Sequence, residues 1–97
     1  MAAYVIVRVL QMRETAWREE YAPKTAALVK KHGGKFIVRG GAKETLEGSG
    51  KLPVNIVVIE FPSMEQARAW HSDPDYAPLI KLRQSGSDAE LVLVEGV

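Results

Sequence analysis

Arg39 is the residue whose chemistry fits its surroundings least. It ends the mostly apolar run KFIVR and lies, by strand alternation, on the opposite face from Phe36 and Val38, where we expect it to be partly buried. A buried guanidinium needs a partner, because an unpaired charge away from water is costly. It binds either the carboxylate or enolate oxygens of a small ligand or, as a structural ion pair, Glu47 or Glu60.

Arg83 and Tyr76 present similar alternatives. Arg83 follows Tyr76 by seven residues, a spacing that places both on one face of a helix. Arg83 is either a second anion-binding group or the member of an ion pair. Tyr76 is either a core aromatic whose hydroxyl is satisfied by a neighbour, or an acid and hydrogen-bond donor in a cleft.

The two histidines are further groups that could move a proton near neutral pH. His71 follows Trp70 at a break between two helical segments and is the best acid or base candidate, the alternative being a solvated residue beside a Ser-Asp-Pro turn. His32 ends a helix, where its charge complements the helix dipole. The pair forms no metal-binding motif, so we predict no metal site and no cofactor.

The composition excludes several classes of protein. A chain of 97 residues, 46% hydrophobic and 26% charged, is typical of a single globular domain spanning 1–97. Its net charge of +1 is too small for a nucleic-acid-binding surface. It contains no cysteine, no signal-peptide pattern and no apolar run near the length of a membrane span. We therefore expect a cytoplasmic protein that binds neither nucleic acid nor membrane.

Hydrophobic patterning predicts the elements that position these residues. Runs rich in β-branched residues predict strands at 4–10, 35–40, 54–61 and 90–95. Helical spacing predicts one helix from Thr15 to His32, kinked or restarted near Pro23, and a second from Ser63 to Gly86, broken at 72–74. The glycine-rich segment 41–53 is expected to be a long, mobile loop. The order β-α-β-β-α-β predicts an α+β, ferredoxin-like antiparallel sheet with its helices on one face.

The strands predict that the protein is a homodimer. A sheet with helices on one face normally has polar residues on the other, but these strands carry apolar residues on both. Burial of each such side chain contributes about 1.5 kcal/mol, so a second copy is expected to cover the outer face. Even if the less apolar face of each strand is the outer one, that surface carries nine apolar side chains: Val5, Val7, Val9, Ile37, Val54, Ile56, Val58, Val92 and Val94.

A family resemblance extends along nearly the whole chain. The segments that carry it are Tyr21, HGGKFIVRGG at 32–41, LEGSG at 46–50, VVIEFPSMEQARAWHSDPDY at 57–76, Arg83 and VEG at 94–96. With them the chain resembles the domain of unknown function 1330 family, of the dimeric α/β-barrel superfamily. The resemblance implies the ferredoxin-like fold and the dimer, and supplies no activity. His71 stands where members usually have Tyr or Phe, which adds a titratable group.

Two functions stay open from the sequence. Dimeric α/β barrels of this kind include isomerases, oxygenases and decarboxylation catalysts, which by analogy of fold implies a cofactor-independent enzyme on a small anionic or oxo-acid metabolite. The alternative is a non-catalytic small-molecule binding or stress-related dimeric module. The residues predicted to act in a cavity between sheet and helices are His71 and Tyr76 as catalytic groups, and Tyr21, Arg39, Glu47, Trp70 and Arg83 as substrate contacts.

Overall fold

The protein, described over all residues 1–97 by a computed structural model, is a four-stranded sheet with three helices. Its elements are β1 (Ala3–Met12), α1 (Arg18–Lys31), β2 (Lys35–Arg39), β3 (Asn55–Phe61), α2 (Met64–His71), α3 (Ala77–Gly86) and β4 (Ser87–Glu95). The strands lie in the order β2-β3-β1-β4, and every neighbouring pair is antiparallel. This is the predicted ferredoxin-like fold, with the second helical region divided into α2 and α3.

The helix ends follow local sequence only in part. The hydroxyl oxygen of Ser63 accepts a hydrogen bond from the Gln66 backbone N–H at 3.2 Å, which confirms the predicted start of α2. The first helix begins later than expected, at Arg18. The preceding residue, Trp17, is at the N-cap position, and its side chain forms no capping hydrogen bond. The predicted restart near Pro23 is wrong, because α1 continues through this proline from Arg18 to Lys31.

The register of the sheet corrects one part of the predicted outer face. Val5, Val7 and Val9 are buried on the helix side, not exposed on the outer side. The odd-numbered and the even-numbered residues of β1 are both largely apolar. Alternation alone therefore could not decide which of the two sets faces the helices.

The outer face is nevertheless apolar across its centre. Ile6 of β1 pairs with Val58 of β3 on one side and with Val92 of β4 on the other, and Val92 is 54% exposed. Further apolar residues of this face are Leu10, Val38, Ile56 and Val94. An uncovered apolar row of this kind is unusual for the water-facing side of a sheet.

The opposite face of the sheet holds the core. Its largest fully buried side chains are Trp70, Tyr76, Phe61 and Val29, which join α1, α2 and the start of α3 to the sheet. Phe61 and Trp70 pack with ring centroids 5.5 Å apart. None of the three helices combines the length and the apolar composition that crossing a bilayer requires.

Candidate functional site

A cavity of about 170 Å³ lies between α1 and the helix-facing side of the sheet. Twelve of its seventeen lining residues are hydrophobic, and its charged residues are all arginines. The lining consists of Val7, Val9, Met12, Trp17, Arg18, Tyr21, Ala22, Thr25, Phe36, Arg39, Asn55, Val57, Ile59, Trp70, Tyr76, Arg83 and Leu91. An apolar body with a few convergent polar groups is the usual composition of a small-molecule site.

Helix α1 supplies one wall through residues spaced four apart. Trp17, Tyr21 and Thr25 lie on one helix face for this reason, and all three line the cavity. Trp17 is held by a hydrogen bond from its Nε1 to the Glu14 carbonyl oxygen at 2.9 Å. Its indole also lies directly against Gly86, where any Cβ atom would collide with it. The glycine at the end of α3 therefore positions an aromatic side chain of the cavity.

Arg83 is the central polar group of the site. Its side chain rises from α3, and the residue is only 7% exposed. Nη1 donates to the hydroxyl oxygen of Tyr76 at 3.0 Å and to that of Tyr21 at 3.3 Å. The two hydroxyl oxygens are 2.6 Å apart, so one tyrosine donates to the other. One hydroxyl hydrogen and the remaining guanidinium donors consequently have no acceptor in the protein.

The surroundings keep Tyr76 in its neutral form. Burial, with the neighbouring Tyr21 as the next cause, raises the pKa of Tyr76 well above its ordinary value, although Arg83 acts in the opposite direction. At neutral pH the Tyr76 hydroxyl therefore donates or accepts hydrogen bonds as a phenol, and it does not act as a base.

The Arg83 guanidinium has no carboxylate partner in the protein. Arg8 and Arg13, which are far more exposed, each form an ion pair, with Glu90 and Asp88 respectively. The cavity lining contains no Asp or Glu. A buried positive charge is normally neutralised by an anion close by, so the lining has an excess of positive charge.

Arg39 lies at the cavity, but not as predicted. A register shift between Phe36 and Val38 puts Arg39 on the same side as Phe36, with its Cζ 4.3 Å from the ring centroid. The residue is exposed, not partly buried, and forms no ion pair. Glu60 pairs instead with Lys35 at 3.4 Å. Glu47 lies in an exposed irregular segment and does not line the cavity.

His71 is separated from this group. It is exposed at the end of α2 and lines a different cleft, beside Arg68 and β4. Its ring centroid is 6.0 Å from that of Tyr76, but the cavity lining does not include it. Trp70 lines both the cleft and the cavity and packs on Tyr76 with centroids 4.6 Å apart. The structure thus unites Tyr21, Arg39, Trp70, Tyr76 and Arg83, and leaves Glu47 and His71 outside.

A second buried charge, Asp73, lies beside the last turn of α1. One of its carboxylate oxygens accepts from Lys31 Nζ at 3.0 Å and is 2.8 Å from Nε2 of His32. The other accepts from the Asp75 backbone N–H at 2.9 Å. Hydrogen bonding, first from His32 and then from the Asp75 amide and Lys31, holds the pKa of Asp73 well below its usual range. His32 therefore has a specific partner beyond the helix dipole.

Three polar lining residues were not predicted as site residues from the sequence. Arg18 and Thr25 belong to a helical pattern that looked structural, and Asn55 begins a strand. Only the i, i+4 relation of Thr25 to Tyr21 could have pointed to it. In the folded chain no cluster of three or more His, Asp or Glu side chains is positioned to hold a metal ion.

Comparisons with known proteins agree with the fold. A family model described as a domain of unknown function, DUF1330, matches residues 2–97. A protein of unknown function from Rhodopseudomonas palustris shares 21% identity, with 99% of this chain and 82% of that one covered and a TM-score of 0.77. A dimeric ferredoxin-like protein of unknown function from Jannaschia sp. CCS1 has 15% identity, coverage of 99% and 100%, and a TM-score of 0.73.

An enzyme is also among the similar structures. SnoaB, a cofactor-independent oxygenase from Streptomyces nogalater, has 17% identity, covers 99% of this chain and 92% of its own, and gives a TM-score of 0.60. No curated protein matches the sequence significantly. At these identities the structural likeness shows the fold alone.

Proposed function

Because the chain belongs to the DUF1330 family, whose description assigns no activity, we propose from its own cavity that it binds a small organic acid and stabilises the corresponding enolate or oxyanion. The observation that carries the proposal is Arg83, a buried guanidinium that contacts two tyrosine hydroxyls and no carboxylate. An anionic ligand oxygen would complete its hydrogen bonding.

The reaction class that suits this arrangement is cofactor-independent enolisation, as in isomerases and oxygenases of small oxo acids. Arg83 and the tyrosine hydroxyl that has no acceptor supply donors toward a developing oxyanion. Such fixed donors act more strongly when they are buried than in bulk water, and Arg83 is buried. Tyr76 serves as a neutral donor, consistent with its raised pKa. In the enolisation step the carbon–hydrogen bond breaks, its proton passes to solvent, and the electron pair forms the enolate held by Arg83.

A specific observation favours the second candidate, a non-catalytic binding module. The lining contains no Asp, Glu or His, so no side chain of the cavity accepts a proton readily at neutral pH. His71, the predicted base, lies in another cleft. Binding requires only the donors of Arg83 and the tyrosines, whereas enolisation also requires that water or a group outside the lining takes the proton.

Calorimetric titration with benzoate and phenylpyruvate tests the binding step. We expect both acids to bind, and Arg83→Gln to weaken binding about tenfold or more, because a charge-assisted hydrogen bond contributes about 1.5–3 kcal/mol. Arg68→Gln is the matched control, since Arg68 is exposed and outside the cavity. Equal affinities for wild type and Arg83→Gln would refute the anion-binding role.

Deuterium exchange at C3 of phenylpyruvate, followed by NMR in D2O, separates the two functions. An enzyme of the proposed class accelerates the exchange, and Arg83→Gln removes the acceleration. A binding module takes up the acid without accelerating exchange at any pH. A rate inflection that disappears in His71→Gln would restore the catalytic role predicted for His71.

The assembly proposed with this function is a homodimer that covers the outer face of the sheet. The apolar row Ile6, Val58 and Val92 supports it, as does the dimeric ferredoxin-like structure among the similar proteins. Sedimentation equilibrium is expected to give twice the chain mass at micromolar concentration. Val92→Glu should shift the protein toward monomer, while Leu46→Glu, in an exposed loop, should not. A wild-type monomer would contradict the proposal.

A further inference from the structure

The cavity is lined by aromatic rings to an unusual extent. Five of the seven aromatic side chains of the chain surround it: Trp17, Tyr21, Phe36, Trp70 and Tyr76. Trp17 meets Tyr21 edge to face, with centroids 5.2 Å apart, an arrangement that presents both ring faces and ring edges. A cavity of roughly 150 Å³ accommodates a benzene ring in a protein interior. The volume of about 170 Å³ therefore fits one aromatic ring.

The lining carries three arginines, Arg18 of α1, Arg39 of β2 and Arg83 of α3, and none of them forms an ion pair. Arg83 projects from α3, whereas Arg39 projects from β2, the edge strand on the far side of the sheet from β4. Stacking of Arg39 on Phe36, at 4.3 Å, fixes the guanidinium against the wall. Like Arg83, Arg39 forms no ion pair, and no carboxylate belongs to the lining.

Asn55 adds a donor on the same side as Arg39. Its Oδ1 accepts the backbone N–H of Ile56 at 3.0 Å, which orients the amide group. Its Nδ2 has no acceptor in the protein, and Asn55 lines the cavity beside β2. The donors of Arg39 and Asn55 therefore belong to the strands of the cavity wall, whereas those of Arg83 come from a helix.

Resting on the proposed function, we infer that the ligand is a single aromatic ring bearing two acidic groups, one bound by Arg83 and one by Arg39. Arg83 is held by hydrogen bonds to two tyrosine hydroxyls and Arg39 by stacking on Phe36, so these two guanidiniums each bind one ligand anion while the aromatic lining encloses the ring. A ligand with one acidic group would leave Arg39 without an anion. The second group has a smaller effect, because Arg39 is exposed and its charge is screened by water.

Calorimetric titration with benzoate and the three benzenedicarboxylates, phthalate, isophthalate and terephthalate, tests this inference. At least one dicarboxylate is expected to bind about fivefold more tightly than benzoate, the range of an exposed ion pair. Arg39→Gln should reduce that affinity to about the level at which wild type binds benzoate. Arg68→Gln serves as the control for loss of one exposed arginine.

The outcomes separate the two proposals. If benzoate binds and no dicarboxylate binds more tightly, the second anionic group is wrong while the proposed function stands. If the preference for a dicarboxylate persists in Arg39→Gln, Arg39 is not the second contact and the inference fails. If none of the four acids binds, the proposed function fails, and the inference fails with it.

Discussion

The two buried charges beside opposite halves of α1 are treated differently by the protein. Asp73, 7% exposed, is surrounded by Lys31, His32 and a backbone N–H. Arg83, equally buried, forms side-chain hydrogen bonds only to the neutral hydroxyls of Tyr21 and Tyr76. The first charge is compensated within the chain and joins two elements. The second is not, and it lines a cavity. The difference between them indicates which cluster serves the fold and which serves a ligand.

The largest effect on folding is expected from Asp73→Asn. It removes the charge on which Lys31 and His32 converge, so we expect the Tm at pH 7 to fall by several degrees. Asp75→Asn is the matched control, because the Asp75 side chain forms no ion pair while its backbone N–H still contacts Asp73. Thermal unfolding followed by circular dichroism measures both. Equal Tm values for the two variants would contradict a structural role for the Asp73 charge.

The same cluster has a predicted pH dependence. The pKa of Asp73 is lowered in the folded state relative to its ordinary value of 3.8, so the unfolded chain takes up the proton more readily. The stabilisation is therefore present above about pH 4 and is lost as the pH falls through the acidic range. In Asp73→Asn the Tm should therefore fall less steeply than in wild type as the pH is lowered through the acidic range. If the Tm of Asp73→Asn falls at acidic pH as steeply as the Tm of wild type, other carboxylates cause the pH dependence.

Arg83→Met is expected to act in the opposite direction. Replacing an uncompensated buried charge by an apolar side chain should raise the stability of the ligand-free protein by about 1 kcal/mol, or a Tm shift of about 5 °C. The two tyrosine hydroxyls still bond each other after the change. Arg68→Met, at an exposed arginine whose side chain forms no hydrogen bond or ion pair, should change stability by less than about 0.5 kcal/mol. If Arg83→Met is strongly destabilised, the Arg83 charge stabilises the fold, as the Asp73 charge does.

The smallest effect is expected for the coupling among Arg83, Tyr21 and Tyr76. Tyr21→Phe and Tyr76→Phe each remove one hydrogen bond to Arg83 and the one between the tyrosines, at a cost of about 1 kcal/mol each. In the Arg83→Met background the same substitutions should cost about half as much, because the three groups share one network. Urea unfolding of the double-mutant cycle measures the coupling. Strict additivity would show that the network has no joint effect.

The sequence was sufficient for the fold because local patterns dominate it. β-branched runs, the Ser63 cap and the order of elements all follow from neighbouring residues. Which face of β1 packs against the helices could not be predicted, since its odd-numbered and even-numbered residues are both largely apolar. The position of Arg39 could not be predicted either, because a bulge in β2 shifts the alternation by one residue.

The candidate site could be predicted only in its residue types. Tyr76 and Arg83 were identified from helical spacing, but Tyr21 is 55 residues from Tyr76 in sequence, and only tertiary contacts bring their hydroxyls together. His71 was predicted from its type and its place at a helix break, yet the direction of α2 points it toward another cleft. Asp73 lies in the segment predicted to break the second helix, and its partner His32 is 41 residues away.

The most direct test of the contrast between the two clusters is the Tm of wild type, Asp73→Asn and Arg83→Met measured as a function of benzoate concentration. A ligand that binds only the folded state stabilises it by mass action, by about 2.7 kcal/mol at a hundred times its Kd. Benzoate should raise the Tm of wild type and Asp73→Asn by the same increment and that of Arg83→Met by about half as much or less, because a tenfold weaker site gains only about 1.4 kcal/mol at the same concentration. An equal rise in Arg83→Met would contradict the claim that the Arg83 charge is completed by a ligand.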